Sequence, residues 1–527
     1  MKVPWNNYTN ALRLYGEVVQ MAIRFGWLRG LSCRICGAYT AFHIELKRLN
    51  TVVQTLQNFI NGEFVPVTGT DSLDIVNPTN GEIVAKAPIS SQADVDAAME
   101  AAATAFKTWK HATPGERQRV LLKLADAVEA RSGELVEAQH RNTGQVRQMI
   151  ADEEVGAGAD QLRFFAGAAR LLEGRSAGEY MENFTSFVRR EPVGVIAQVT
   201  PWNYPFLMLI WKIGPALAAG NTVVLKPSDT TPESTLVFAD IAKDIVPAGV
   251  LNFVLGNGAT GASMVDHKTP AMVSITGSVR AGIAVATGAA KGLKRAHLEL
   301  GGKAPAVVFA DANLGKTAQE IAEYAFFNAG QDCTAITRVL VEESAHEEFV
   351  AALATASEGL ETGNEDDSKN YFGPLNNINH FNQVVDVVAN IPEYATVVTG
   401  GTRVGDRGFY FAPTVVDGVK QTDDIVQQET FGPVITVQTF KTEEEAVELA
   451  NDVEYALASS VWTSNHGVAM RLARDLDFGV VWINTHVMLT AEMPHGGFKQ
   501  SGYGKDLSIY GVEDYTRIKH VMSNLDA

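Results

Sequence analysis

The sequence predicts an α/β protein built on parallel sheets, and three observations predict it. Short β-rich apolar runs recur at Val193–Val199, Thr222–Leu225, Leu251–Leu255 and Met272–Ile275. Helical stretches such as Phe206–Ala219 and Glu233–Ile245 separate them. A second alternation runs from Pro305–Phe309 to about Asn484. Strand, helix, strand at this spacing implies parallel strands with helices on both faces. The second series implies a second α/β domain, and that domain carries Cys333.

Composition sets the bounds. A chain of 527 residues is long enough for two or three packed units. Hydrophobic content of 46% and charged content of 20% are ordinary for a globular protein. The formal net charge of -18 argues against nucleic acid or an anionic membrane as a partner. No apolar run of about 18 residues is free of charge, so no spanning helix is expected. Three cysteines exclude a disulfide scaffold and point to a reducing, cytoplasmic home.

In chain order, residues 1–56 come first and differ from the rest. Lys2, Arg13, Arg24, Arg29, Arg34, Lys47 and Arg48 oppose only Glu17 and Glu45. Cys33-Arg-Ile-Cys36 is a single CxxC without a second pair, a weak metal or redox signal, and no metal site is expected. No apolar core with a cleavage site marks a targeting peptide. The segment reads as an appendage, with a translation start near Val52 or Val53 as its explanation. Residues 91–170 read as helices. Ser91 with Asp94 and Thr113-Pro-Gly-Glu116 are capping boxes, and Leu121, Leu124, Ala125 and Val128 recur at helical spacing. Tyr180–Arg190 reads as an exposed strand or ribbon.

Ligands of a parallel sheet bind beyond the carboxyl ends of its strands. That rule selects four loops: Thr200-Pro-Trp-Asn203, Lys226-Pro-Ser-Asp229, Gly256-Asn-Gly258 and Thr276-Gly-Ser278. Gly256-Asn-Gly258-Ala-Thr-Gly261 matches the GxGxxG dinucleotide pattern, but it comes third in the strand series. It reads first as a turn and only second as a pyrophosphate seat. Thr276-Gly277-Ser278 is the better phosphate candidate, because Ser278 opens a helix with free N–H groups. Its plain alternative is an ordinary Ser cap. Lys226 and Asp229 suit the two hydroxyls of an adenosine ribose, or else form a solvated turn.

Cys333 follows Asn328-Ala-Gly-Gln-Asp, and no other cysteine follows Cys36. It is either a reactive thiolate or a small hydrophobe. Glu299 lies in His297-Leu-Glu299-Leu300-Gly301-Gly302, where apolar neighbours raise a carboxyl pKa as a general base requires. Asn203 stands between Pro201 and Pro205, and such rigidity suits an oxyanion donor. Glu429-Thr-Phe431 puts a carboxylate and a ring close together.

Together these phrases resemble the aldehyde dehydrogenase superfamily over residues 57–523, with the motifs in family order. The resemblance implies an aldehyde dehydrogenase-like fold with a Rossmann-type NAD-binding domain at 57–173 and 193–301. It implies a catalytic domain at 302–500 and a small β oligomerisation ribbon from 174–192 and 501–527. Cys333 is then the nucleophile and Glu299 the general base, with Asn203 and the Cys333 N–H as oxyanion hole. Lys226 and Asp229 hold the adenosine ribose, and Gly277 and Ser278 meet the pyrophosphate. Glu429 holds the nicotinamide ribose, while Thr200, Trp202, Leu300 and Phe431 border the cofactor. The family commonly has Glu where this chain has Asp229, so the charge survives on a shorter arm. NAD is expected over NADP. Glu299 also implies hydrolysis of the thioester to an acid, because members that pass the acyl group to coenzyme A generally lack this base.

The phrases Arg163–Arg170 and Asn484–Asp506 resemble the aminobutyraldehyde and betaine aldehyde branch. By that resemblance Tyr204, Trp211, Leu489 and His495 line the substrate pocket. Asp152, Glu153 and Glu154 are candidates for an acidic mouth, or are a solvated helix face. The expected substrate is 4-aminobutyraldehyde or a related aminoaldehyde. Betaine aldehyde, succinate semialdehyde and general aliphatic aldehydes remain open, as does a non-catalytic protein on this fold. A homodimer or homotetramer is expected.

Overall fold

A computed structural model describes residues 53–526. The appendage with Cys33 and Cys36, expected over 1–56, lies almost wholly outside the described residues.

The first series of apolar runs forms the middle of an eight-stranded sheet. Its order is Gly502–Tyr503, Arg295–Glu299, Met272–Thr276, Val195–Val199, Thr222–Lys226, Leu251–Phe253, Asn58–Ile60 and Glu63–Val65. The central five strands are parallel. Edge strands from both ends of the chain close the sheet in antiparallel sense. The strand Arg295–Glu299 has no clear alternation in the sequence, yet it places Glu299 at a carboxyl end.

Helices cover the faces because their apolar residues recur every three or four positions. Pro205–Ala219 is the most deeply set, with fourteen of its fifteen residues buried, and Gly220 ends it in a left-handed turn at φ 93. Burying each large apolar side chain here contributes about 1.5–3 kcal/mol. The capping boxes form as the spacing predicts: Ser91 opens Gln92–Trp109 and Thr113 opens Pro114–Ala130.

The second series forms a seven-stranded sheet in the order Thr396–Thr399, Thr414–Asp417, Val434–Phe440, Ile336–Glu342, Ala304–Val308, Ala458–Trp462 and Val480–Ile483. All neighbours are parallel except the first pair. A separate three-stranded antiparallel ribbon joins Thr516–Asn524, Phe184–Pro192 and Gly178–Met181. The segment 501–527 therefore divides. Leu298 pairs with Tyr503 and Glu299 with Gly502, and the following helix Ser508–Asp514 packs on Pro205–Ala219. Only Thr516–Asn524 belongs to the ribbon, because Leu507, Val512 and Tyr515 are apolar groups buried in the first core.

Candidate active site

In the eight-stranded sheet the strand order reverses between Val195–Val199 and Met272–Thr276. A doubly wound sheet binds its ligand at this switch point. The loops that leave these strands border a cleft of about 830 Å³. Of the residues singled out by sequence, Trp202, Asn203, Tyr204, Trp211, Gly277, Ser278, Leu300, Cys333, Glu429, Phe431, Leu489 and His495 line it. Thr200, Lys226, Asp229 and Glu299 do not.

Cys333 sits on a loop of unusual backbone. Asn328, Ala329 and Gly330 take φ values of 51, 58 and 68 in succession. Left-handed conformation in the first two is strained and persists only where contacts over-determine it. Those contacts are present. The Asn328 amide donates to the carbonyls of Asn203 at 2.9 Å and Gln331 at 3.2 Å, and Gln145 donates to both the Asn203 carbonyl and the Asn328 side chain. Asn203 in turn donates its side-chain amide to the Gln331 carbonyl at 3.0 Å. A mesh of amides thus holds Asn203 and the cysteine loop together. Burial pushes the Cys333 thiol pKa well up, and the charges of Asp332, Glu429 and Glu299 add to it.

Gly301 and Gly302 lie between Cys333 and Glu429. The Gly302 N–H donates to the Glu429 carboxylate at 2.8 Å. A methyl group on Gly301 would stand 2.3 Å from the other Glu429 oxygen. Burial raises the Glu429 pKa to about 7, against the Gly302 bond and the Lys303 charge. Phe431 takes φ 57, its carbonyl accepts from His380, and its ring meets Trp202 edge-on at 5.3 Å.

The loops that sequence assigned to the cofactor lie at the carboxyl ends of the central strands. Ser278 caps Val279–Lys291 through the Ala281 N–H. Thr276 Oγ1 is buried at the cleft without a partner. Gly282 admits Leu300, whose Cδ1 would stand 2.5 Å from a methyl there. Lys226 ends the next strand along and Asp229 lies just beyond it, and the Thr200 N–H donates to the Lys226 carbonyl. Lys226 is buried, which lowers its amine pKa to about 8, and it donates to the carbonyls of Pro227 and Gly256. The GxGxxG phrase is the turn into Gly258–Asp266: Asn257 caps that helix, and Gly261 packs on the Lys226 stem.

Glu299 lies behind the cleft wall in a buried ion network. A methyl on Gly496 would stand 2.4 Å from its Oε1, which has no hydrogen-bond partner. Burial raises its pKa, and Asp506 raises it further, while His297, Lys212 and Lys505 oppose. Lys212 and Asp506 form a fully buried ion pair at 2.8 Å. Ligand atoms of His297, Glu299 and Asp506 fall within 4.8 Å of one another, a spacing a metal ion can use. Here the positive charge already comes from Lys212, and both imidazole nitrogens face carboxylates.

In the remaining pocket, the Trp211 indole N–H donates to Gln161 at 2.7 Å, and its ring meets His495 at 5.1 Å. Burial lowers the His495 pKa to about 4. Tyr204 donates its hydroxyl to Asp332 at 2.7 Å. The acidic trio is corrected. It falls on the helical turn Ile150–Gly156, where consecutive side chains project in different directions. Glu153 lines the cleft and Asp152 is exposed, but Glu154 is fully buried and accepts the N–H groups of Phe206 and Leu207. Asp332, Asn328, Gln145, His297 and Asp506 gave no sequence signal strong enough to find. Lys212 did give one: it is the only charge in the apolar helix Pro205–Ala219.

A cleft at the switch point of a doubly wound sheet, with the half-buried thiol of Cys333 in its lining, is the arrangement of a nucleotide-dependent oxidoreductase. The model of the aldehyde dehydrogenase family matches residues 64–521. The chain belongs to this family and is an aldehyde-to-acid oxidoreductase. It is 39% identical over 480 residues to betaine aldehyde dehydrogenase of Bacillus subtilis, covering 89% of this chain and 97% of the relative. It is 37% identical over 491 residues to 2-hydroxymuconic semialdehyde dehydrogenase of a Pseudomonas species, covering 90% and 100%. A betaine aldehyde dehydrogenase point mutant from Staphylococcus aureus, solved in complex with NAD+, superposes with TM-score 0.87 at 35% identity, covering 89% and 98%.

Proposed function

We propose that this NAD-dependent aldehyde dehydrogenase acts on a cationic ω-aminoaldehyde, with 4-aminobutyraldehyde first. One observation carries the reading. Glu153, Glu323 and Asp332 line the cleft with the rings of Tyr204, Trp211 and Tyr324, and the only Lys or Arg in the lining is Arg280, beside Ser278. Carboxylates and aromatic faces attract an ammonium group. Anionic semialdehydes meet like charge there. Betaine aldehyde, a permanent cation, is the second reading, favoured by the same wall.

Cys333 Sγ adds to the aldehyde carbon as its proton leaves to a base. Asn203 Nδ2 and the Cys333 N–H hold the oxyanion. NAD, when bound, supplies the acceptor for the hydride. Glu299 then withdraws a proton from the water that hydrolyses the thioester, reaching it by rotation from its rest against Gly496. Glu429 orients the nicotinamide ribose, and Phe431, Trp202, Thr200 and Leu300 border the cofactor. Ser278 and Gly277 meet the pyrophosphate, and Lys226 with Asp229 meets the adenosine ribose, where a carboxylate disfavours a 2′-phosphate. Residues 57–173 and 193–301 act as the cofactor domain and 302–500 as the catalytic domain. The ribbon carries assembly into a homodimer or homotetramer, and the working compartment is the cytoplasm.

The test compares kcat/KM for 4-aminobutyraldehyde, betaine aldehyde, butyraldehyde and succinate semialdehyde, with NAD and NADP in parallel. The two cations should lead. A lead for butyraldehyde or succinate semialdehyde refutes the cationic substrate.

A further inference from the structure

The strand that carries Glu299 holds a second titratable group, and the chemistry above leaves it unused. His297 is fully buried, two residues before Glu299 and on the same face of the strand. Its Nδ1 lies 2.6 Å from Asp514 Oδ2, and its Nε2 lies 3.1 Å from Asp506 Oδ1. A neutral imidazole has only one donor nitrogen, so a ring between two ionised carboxylates carries both protons. Burial and the Lys212 charge push its pKa down. The bonds to Asp506 and Asp514 outweigh them and hold it up, at about 9.

The surrounding charges give this ring a task. Lys212, from the helix Pro205–Ala219, pairs with Asp506. Asp514, from the helix Ser508–Asp514, pairs with Arg295 at 3.2 Å on its outer side. Lys505 donates to the carbonyls of Gly496 and Gly497, and the Tyr515 ring packs 5.7 Å from the imidazole. The Glu299 charge in turn helps to raise the Cys333 thiol pKa. With His297 charged, Asp506, Lys212 and His297 sum to one positive charge, which balances an ionised Glu299. With His297 neutral or absent, Asp506 and Lys212 cancel, and Glu299 ionises in the interior with only half-buried Lys505 to offset it.

We propose that His297 is a positioning residue: a buried imidazolium, clamped between Asp514 and Asp506, that holds Asp506 in place and supplies the charge that lets Glu299 work as a base. The proposal rests on Glu299 being that base. It also ties the base to Asp514, two residues before the ribbon strand, where Arg295 Nη1 donates to the Thr516 carbonyl at 2.6 Å.

The test is the pH profile of steady-state kcat, with thermal melting as a check on folding. An opposite charge this close shifts a carboxyl by about 1–3 pH units. His297→Gln should move the acid limb of kcat up by about that much, while the NADH burst at high pH is retained. Asp514→Asn removes the outer carboxylate, whose side chain is 31% exposed, and leaves the core intact. It should move the limb in the same direction by less, and it answers the question alone if His297→Gln does not fold. An unshifted limb in folded protein overturns the proposal. Glu299→Gln, run in parallel, separates the two failures. Stalling after the burst in Glu299→Gln, with no limb shift in the other variants, rejects His297 only. Full turnover in Glu299→Gln rejects the base assignment on which the proposal stands.

Discussion

The Cα of Gly302 lies against the carbonyl of Cys333 so closely that a methyl group there would stand 2.2 Å from the oxygen. The Cys333 loop is therefore seated on a glycine whose N–H is held by Glu429. Gly302→Ala must displace that loop. A misplacement of about 1 Å costs on the order of a hundredfold in rate, so kcat should fall by about that factor. Stoichiometric thiol labelling of the folded variant separates a displaced cysteine from a lost one.

Asp332 precedes Cys333 and accepts a hydrogen bond from the Tyr204 hydroxyl. If its carboxylate meets the substrate ammonium, Asp332→Asn should lower kcat/KM for 4-aminobutyraldehyde about tenfold, the equivalent of about 1.4 kcal/mol. Butyraldehyde should be unaffected. An equal loss on both substrates refutes the contact.

Glu154 gives stability a pH dependence of unusual sign. Burial raises its pKa to about 8, against the hydrogen bonds it accepts from Leu207, Gln145, Gln139 and Phe206. The unfolded chain releases this proton near the ordinary glutamate value of 4.5. The folded state therefore binds more protons between these values, and stability is lost as pH rises from about 4.5 through about 8. Glu299 and Glu429, also raised by burial, share this sign, so Glu154→Gln should reduce the slope of thermal midpoints across the window without abolishing it. An unchanged slope sinks the assignment.

Lys212 and Asp506 form a pair with 0% and 1% of their side chains exposed. Removing one partner of a buried pair costs about 3–5 kcal/mol. For Lys212→Met the lower end is expected, because His297 still faces Asp506. The urea midpoint should fall accordingly, and a midpoint within error of wild type refutes a role for the pair in holding the fold.

How much of this was legible follows from where the signals lie. The strands Val195–Val199 and Thr222–Lys226 were readable because a strand buried on both faces is an unbroken apolar run. Arg295–Glu299 was hidden: its inner face carries His297 and Glu299, whose charges are satisfied only by residues from 212, 506 and 514. The Asp152–Glu154 trio could not be sorted from sequence, because consecutive helical residues project in different directions and only the Phe206 and Leu207 N–H groups decide that Glu154 is the buried one. The GxGxxG phrase became a turn because its strand is third in the chain and lies away from the switch point.

The sequence by itself determined the family, the two parallel sheets and the residue types at the reacting centre, because local patterning and short motifs carry that information within a few positions. Tertiary structure alone decided which carboxylates face the cleft and which are buried. It also decided that Asn203 is held by Gln145 and Asn328, and that Glu299 rests among Lys212, His297 and Asp506. Those are contacts between segments tens to hundreds of residues apart, and the low dielectric of the interior makes each of them matter.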